Sequence, residues 1–325
     1  LDYFDSLASR IVMENTFLQN ITIGIIQGFA GGVGIVLPYL FPLLLGLAFL
    51  EDTGYLPRVA FLMDSLFHKI GLHGKALIPF MLGYGCTVPA IMGTRILESE
   101  RDRYIAGFLS VFVPCSARTA VIFGLAAFYL GPLTAFLLYM TNIIFLGILG
   151  FVLSKIYKEE SPGLILEIPS LKIPSLKSIL LKTWLRIREF IIIAWPILIL
   201  GSVTLSLLEH YGYAETINNL LSPITILLGL PIAVGTTLIF GILRKELSML
   251  MLMQALGSLE VLSKTQMLTF TVFIMYYIPC LATIAAMISE FRLKRTLLIT
   301  GTTLVVALIL GIFARIIGGI GGEIS

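Results

Sequence analysis

Three cysteines carry the most suggestive chemistry in this chain. Cys86 lies in GYGCTVP, Cys115 in VPCSAR and Cys280 in YIPCLAT, three motifs that each carry a proline. Proline lacks an amide donor and clashes with the carbonyl four residues back, so each thiol falls where a helix ladder is interrupted and backbone carbonyls are released. A thiol beside such carbonyls suits a borderline-soft transition ion better than Mg²⁺ or Ca²⁺, which take oxygen shells. A site that conducts must also let go, and Fe²⁺ stands low in the divalent affinity order. One buried cysteine is commonly just a small hydrophobe. Three of them at interrupted helices point to a relay of weak metal sites. With no CxxC among three cysteines, a disulfide framework is excluded.

Other polar groups are candidates for support. Arg244, Lys245 and Glu246 fall in the middle of the apolar stretch Leu230 to Leu256, where charge is costly and suggests function. Glu246 would serve as cation ligand or proton acceptor, with Arg244 as its counter-charge. The other reading is that the stretch turns at the interface and wets these charges. Glu51 and Asp52 close an apolar stretch, as a solvated end or a cation entrance. Arg118, four residues after Pro114, reads as a structural counter-charge rather than a ligand. His68 and His73 are five apart, not the three or four that share a helix face; with His210 they read as interfacial. GxxxxGK[ST], GxSxG and HExxH are all missing, so no catalytic residues are expected and the chain reads as no enzyme.

The elements that must position these groups are membrane helices. Of 325 residues, 58% are hydrophobic and only 13% charged, against about 25% charged in a soluble domain. Mean hydropathy is +0.99. The net charge of +3 is far too small for a nucleic-acid surface. A span needs ~20 apolar residues. Leu133 to Leu153, Phe190 to Leu208 and Thr296 to Ala314 meet that length without a charge; Gly34 to Leu50 and Gln266 to Ile288 follow closely. Ala76 to Gly93, Tyr104 to Leu130 and Leu230 to Leu256 are interrupted by Gly, Pro or charge, the mark of broken or re-entrant helices. Tyr55 to Leu72 has amphipathic spacing suited to the interface. The stretch Ser154 to Arg188 holds seven of the 22 basic residues and belongs in the cytoplasm by the positive-inside rule. Arg292, Lys294 and Arg295 also want the cytoplasm. Three full spans between the two clusters would put them on opposite sides, which leaves one segment not crossing or one cluster outside.

The chain also repeats itself. Glu51-Asp-Thr-Gly-Tyr55 matches Glu209-His-Tyr-Gly-Tyr213; at the same offset Gly71-Leu72 falls on Gly229-Leu230 and Gly83 on Gly241. Seven residues further, Pro114-Cys-Ser-Ala117 falls on Pro279-Cys-Leu-Ala282. On this reading Arg244 takes the place of Cys86. The expected fold is an all-α polytopic membrane bundle: a lead-in over 1–33, a first repeat over 34–153, a basic linker over 154–188 and a second repeat over 189–325. Such repeats place a transport site at their interface near mid-membrane. Whether the copies are parallel or inverted depends on the span count.

LEDTGYLPRVAFLMD (Leu50 to Asp64), GKALIPFMLGYGCTVPAIMGTR (Gly74 to Arg95), the PCSAR run and YIPCLAT together resemble the membrane domain of FeoB, the prokaryotic ferrous iron transporter. The resemblance runs from about Gly31 to Ile317, and the two copies correspond to that family's paired Gate, or nucleoside-recognition-like, regions. It implies Fe²⁺ as the transported ion across the cytoplasmic membrane, no permanently bound cofactor, and Cys86, Cys115 and Cys280 as pathway residues. The family's GTP-binding domain and helical spacer have no counterpart in these residues, so the resemblance implies that GTP acts only through such a domain, in cis or as a separate subunit. The chain then reads as a shortened form or one part of a split system, with small Feo accessory proteins as partners, the lipid bilayer as solvent, and homo-oligomer formation left open. The competing reading is a Gate-type permease for an organic solute or another divalent ion, in which Asn142, Tyr276 and Tyr277 outweigh the thiols.

Overall fold

The computed structural model describes residues 16–69, 71–157, 174–211, 214–243, 245, 247–256 and 261–322, and among these every regular element is helical. Helix α1 (Thr16–Ile35) passes through a π-helical turn (Val36–Leu40) into α2 (Phe41–Asp52). Pro38 and Pro42 remove amide donors there, and the ladder widens to accommodate them. Residues 16–33, read from sequence as a lead-in, therefore form the first half of a long helix. The amphipathic α3 (Tyr55–Lys69) follows, then a pair of short helices, α4 (Leu77–Gly85) and α5 (Thr87–Gly93). Helix α6 (Glu100–Phe112) breaks before α7 (Ser116–Val121), which runs on as a π turn to Leu130, and α8 (Pro132–Ile156) completes the first half.

The second half opens with the 35-residue α9 (Leu176–His210), which crosses the boundary expected at 188. It continues through α10 (Ala214–Leu228), the short pair α11 (Val234–Leu243) and α12 (Leu247–Leu256), α13 (Lys264–Tyr276) and α14 (Leu281–Gly322). The last helix turns sharply at Arg292, a non-glycine residue at φ 65°. The linker residues 158–173 lie outside the described residues. Glu100–Leu130, Pro132–Ile156, Leu176–Thr204 and Lys264–Gly319 are long and apolar enough to cross a membrane. On α8 the residues Leu133, Phe136, Ile144 and Ile148 are all exposed. Such a continuous apolar face suits lipid rather than water.

The short pairs do not cross. Nine residues in α4 span about 14 Å, under half of the ~30 Å hydrocarbon core. Lys75, just before α4, reaches Glu98, just after α5, at 2.6 Å, so the pair enters and leaves at one end. That contact also holds the Glu98 carboxyl below its ordinary value of 4.5, by hydrogen bond first and charge second. The base of the α11–α12 pair closes likewise, with Gln266 donating to the Gly229 carbonyl at 2.8 Å. Each pair is a re-entrant hairpin.

The hairpins also display the repeat. Helix α3 ends with the Gly71 amide bonding the His68 carbonyl and the Leu72 amide bonding that of Phe67; α10 ends with Gly229 bonding Ile226 and Leu230 bonding Thr225. These are two Schellman caps, with Gly71 and Gly229 at φ 72° and 71°. Arg101 donates to the Gly71 carbonyl at 3.0 Å as Gln266 does to Gly229, and both pairs of positions obey the sequence offsets.

The two halves run in opposite directions. On α1, a side chain at Gly24 or Gly28 would strike the backbone of Val203 or Ile199 on α9, and Gly32 packs against Trp195. Partners that descend in number as the glycines ascend mean antiparallel helices. At the far end of this contact Lys182 and Arg186 of α9 hold Glu51 and Asp52 of α2. Arg95 bridges Glu189 and Glu290, Arg103 reaches Glu290, and Arg295 reaches Glu100. All of these lie at one end of the bundle, with the α4–α5 hairpin entering from it. The α11–α12 hairpin enters from the other end, where Arg315 caps the Ile226 and Leu227 carbonyls. The repeats are therefore inverted. Among the described residues between the two basic clusters, only α9 and the α13–α14 segment are long and apolar enough to cross, which would put both clusters on one side and leave the hairpin as the odd span of the sequence count.

Gly28 and Gly46 provide a controlled test of the antiparallel seam. A Cβ at Gly28 would lie 2.7 Å from the Ile199 Cα, whereas nothing lies within 4 Å of one at Gly46. Gly28→Ala is expected to destabilise by about 1–3 kcal/mol through overpacking. Gly46→Ala is expected to be neutral or to stabilise by up to about 1 kcal/mol, since alanine loses less backbone entropy in a helix. Unfolding in detergent with urea compares the two; equal effects would mean that α1 and α9 are not in close contact.

Candidate functional site

Each cysteine sits at a helix break. Cys86 is extended (φ −149°, ψ 132°) between α4 and α5, and Cys115 is extended (φ −68°, ψ 169°) before α7. Cys280 directly precedes α14, with its carbonyl accepting from Ile284 at 3.0 Å. The prolines at 89, 114 and 279 set these positions: each lacks an amide donor for the ladder, and the residues before Pro114 and Pro279 are disfavoured in the helical region, with Val113 extended at ψ 131°. The breaks converge. One cavity of about 560 Å³ is lined by Cys86, Cys115 and Cys280 together with Arg118 and Lys245, and Ala30 of α1, Leu43 of α2, Phe190 and Leu198 of α9 and Leu243 of α11 add apolar wall. None of the thiols is in a disulfide. Thr87, Ser116 and Thr283 add hydroxyls to the lining, and Thr283 Oγ1 lies 3.0 Å from Cys280 Sγ.

The carbonyls released at the breaks are largely taken. Arg118, 2% exposed, donates through Nη1 to the Val111 and Val113 carbonyls and through Nη2 to that of Tyr277 at 2.9 Å. Lys245 Nζ donates to the same Tyr277 oxygen at 3.2 Å. Asn142, fully buried, donates to the Phe112 carbonyl at 3.2 Å and to the Tyr276 hydroxyl at 3.3 Å. The guanidinium thus ties the first-repeat break to the second-repeat break. The sequence read Arg118 as a structural counter-charge; its hydrogen-bond partners here are carbonyls rather than an acid. Asn142, Tyr276 and Tyr277 serve the same scaffold and do not line the cavity.

The other expected site residues fall elsewhere. Glu51 is held at the basic end by Lys182 at 3.0 Å and Arg186 at 2.7 Å, as a tie between α2 and α9. Arg244 and Glu246 lie outside the described residues. Their neighbour Lys245, 3% exposed, is the member of that trio the structure places in the cavity wall. Its signal in the sequence was the charged break between α11 and α12, aligned with Cys86 by the repeat.

Apart from the thiols, the ionisable groups among the described lining residues are both basic. Two buried cations border the cavity, and α5, α7 and α14 each begin at a cysteine, turning their positive N-terminal ends toward the thiols.

Comparison with known proteins matches this architecture. A family described as Gate, nucleoside recognition, covers residues 33–129 and 191–294. The two intervals begin 158 residues apart, the offset of the repeat. Residues 135–186, which cover most of α8, the linker and the start of α9, match the C terminus of ferrous iron transport protein B. The chain belongs to the FeoB family. The Fe(2+) transporter FeoB of Methanocaldococcus jannaschii is 30% identical over 98% of this chain and 53% of that protein. Those of Escherichia coli K12 and Salmonella typhimurium are 36% identical over 61% of this chain and 26% of their own length. The chain thus spans about half or less of the relatives it matches. No solved structure matches. Within the family frame, the cavity lies between the two Gate regions, with thiols contributed by both.

Proposed function

We propose that this FeoB-family chain moves Fe²⁺ across the prokaryotic cytoplasmic membrane through the cavity at the converging helix breaks, with Cys86, Cys115 and Cys280 as successive weak ligands. One observation carries the reading: three cysteines distant in sequence, drawn from both inverted repeats, line a single cavity. Inverted-repeat transporters place their sites at broken helices of the repeat interface, and soft thiol ligands favour a transition ion over Mg²⁺ or Ca²⁺. The similarity to named Fe(2+) transporters selects Fe²⁺ among transition ions. The thiols carry more of this pathway than the carbonyls, because those of Val111, Phe112, Val113 and Tyr277 already accept bonds. The end bearing Lys182, Arg186 and Arg295 faces the cytoplasm, and a GTP-binding part, joined or separate, acts from that side. The organic-solute alternative is weakened because Asn142 and the Tyr276 hydroxyl are bonded within the scaffold and none of Asn142, Tyr276 and Tyr277 lines the cavity.

Anaerobic Fe²⁺ uptake into proteoliposomes tests this, with Mn²⁺ and Zn²⁺ as competitors. Changes to groups that merely support a ligand typically cost ~10–100-fold, so loss of all three thiols is expected to reduce uptake at least that much. Unchanged uptake in the Cys86→Ser, Cys115→Ser, Cys280→Ser protein would sink the thiol pathway.

A further inference from the structure

We propose that Asp64, His68 and His73 form a second divalent transition-metal site, outside the cavity. One donor atom from each lies within 4.8 Å of the others, and none of the three residues lines the cavity. Asp64 and His68 are one helical turn apart on α3, so they share a face. The five-residue spacing of the histidines does not count against the site, because α3 ends at Lys69 and the chain reverses at Gly71, φ 72°. The reversal sets the His73 ring 5.3 Å from the His68 ring and its Nδ1 3.9 Å from Asp64 Oδ1.

The arrangement is largely built. Asp64 Oδ1 accepts the Gly74 amide at 2.7 Å, which fixes the carboxylate, and His73 is only 9% exposed. His68 is exposed. Donors on an ion with bonds near 2.1 Å stand about 3–3.5 Å apart, so a rotation of His68 closes the site, with water filling the remaining positions. Two imidazoles and one carboxylate with open positions is the donor set of Fe²⁺ and its neighbours, and not of Mg²⁺ or Ca²⁺. Lys75, one residue beyond Gly74, is neutralised by Glu98 at 2.6 Å and does not repel the ion. An ion held there joins α3 to the foot of the α4–α5 hairpin, whose tip carries Cys86.

The site stands whether or not the thiols conduct, so its test uses a thiol-free background. The full chain carrying Cys86→Ser, Cys115→Ser and Cys280→Ser is purified in detergent and titrated with Co²⁺ alone, read by absorption. The expected result is one Co²⁺ per chain with ligand-field bands and no thiolate charge-transfer band. Adding His68→Ala, at an exposed position, weakens binding at least tenfold, as does Asp64→Asn, whose amide oxygen still accepts from Gly74. The proposal is overturned if the thiol-free chain binds no Co²⁺, or if both further substitutions leave binding unchanged.

Discussion

Replacing Arg118 by alanine is expected to destabilise the folded chain by about 3–5 kcal/mol, the largest stability effect among the cavity residues. Each hydrogen bond to a charged group contributes roughly 1.5–3 kcal/mol, and a buried acceptor left without its donor loses its solvation as well. Arg118 serves the Val111, Val113 and Tyr277 carbonyls at once, and is itself only 2% exposed. Its Nη1 and Nη2 diverge to two different helix breaks, a geometry that the planar fork of arginine supplies and the single ammonium of lysine does not. The order of stability should therefore be Arg118 above Arg118→Lys, with Arg118→Met and Arg118→Ala together at the bottom. Methionine restores volume but no donor, so a methionine variant near wild type would show that packing, not carbonyl capture, is the role. Unfolding by urea in detergent distinguishes these orders. Lys245→Met should cost less than Arg118→Ala, because Tyr277 keeps its bond from Arg118, and the double change should exceed the sum of the singles at that shared oxygen.

The parts of this molecule visible in its sequence are those governed by local rules. Proline fixes where a ladder must fail, so the breaks at Cys86, Cys115 and Cys280 follow from GYGCTVP, VPCSAR and YIPCLAT. Gly71 and Gly229 recur because a Schellman cap needs positive φ, and the same need makes the repeat detectable. What the sequence left open depends on long-range pairing. Parallel and inverted copies have the same local pattern; only the Lys75–Glu98 and Gly229–Gln266 closures show which segments turn back. Asn142 looks like a solute-binding amide until Phe112 is placed beside it. The histidine pair fails a helix-spacing criterion that ceases to apply once the helix stops at Lys69. Lys245 was hidden behind Arg244 and Glu246, since side-chain direction at a break is not periodic.

Fe²⁺ bound in the cavity is expected to release between one and three protons per ion. The reasoning is a charge count over the lining. Arg118 and Lys245 bring positive charge, and among the described lining residues the three thiols are the only titratable groups of opposite potential sign. At a separation on the order of 6 Å and an effective dielectric near 20, a divalent ion and one buried cation repel by about 5 kcal/mol. Neutral thiols cannot offset that, whereas thiolates both ligate and compensate, and metal binding to thiols expels their protons. Affinity should accordingly rise with pH and fall on acidification. Lys245→Met sharpens the test. If Lys245 stays charged, its removal lessens the repulsion and fewer thiolates are needed; if the arriving ion displaces the Lys245 proton to solvent, the methionine chain has no such proton to release. Both routes lower proton release and raise Fe²⁺ affinity by at least about tenfold, or ~1.4 kcal/mol. Anaerobic calorimetry in two buffers of different ionisation enthalpy reads both quantities. Binding without proton release, or a Lys245→Met chain that binds Fe²⁺ more weakly, would remove the thiols from the pathway and point to a cavity shaped for an anion.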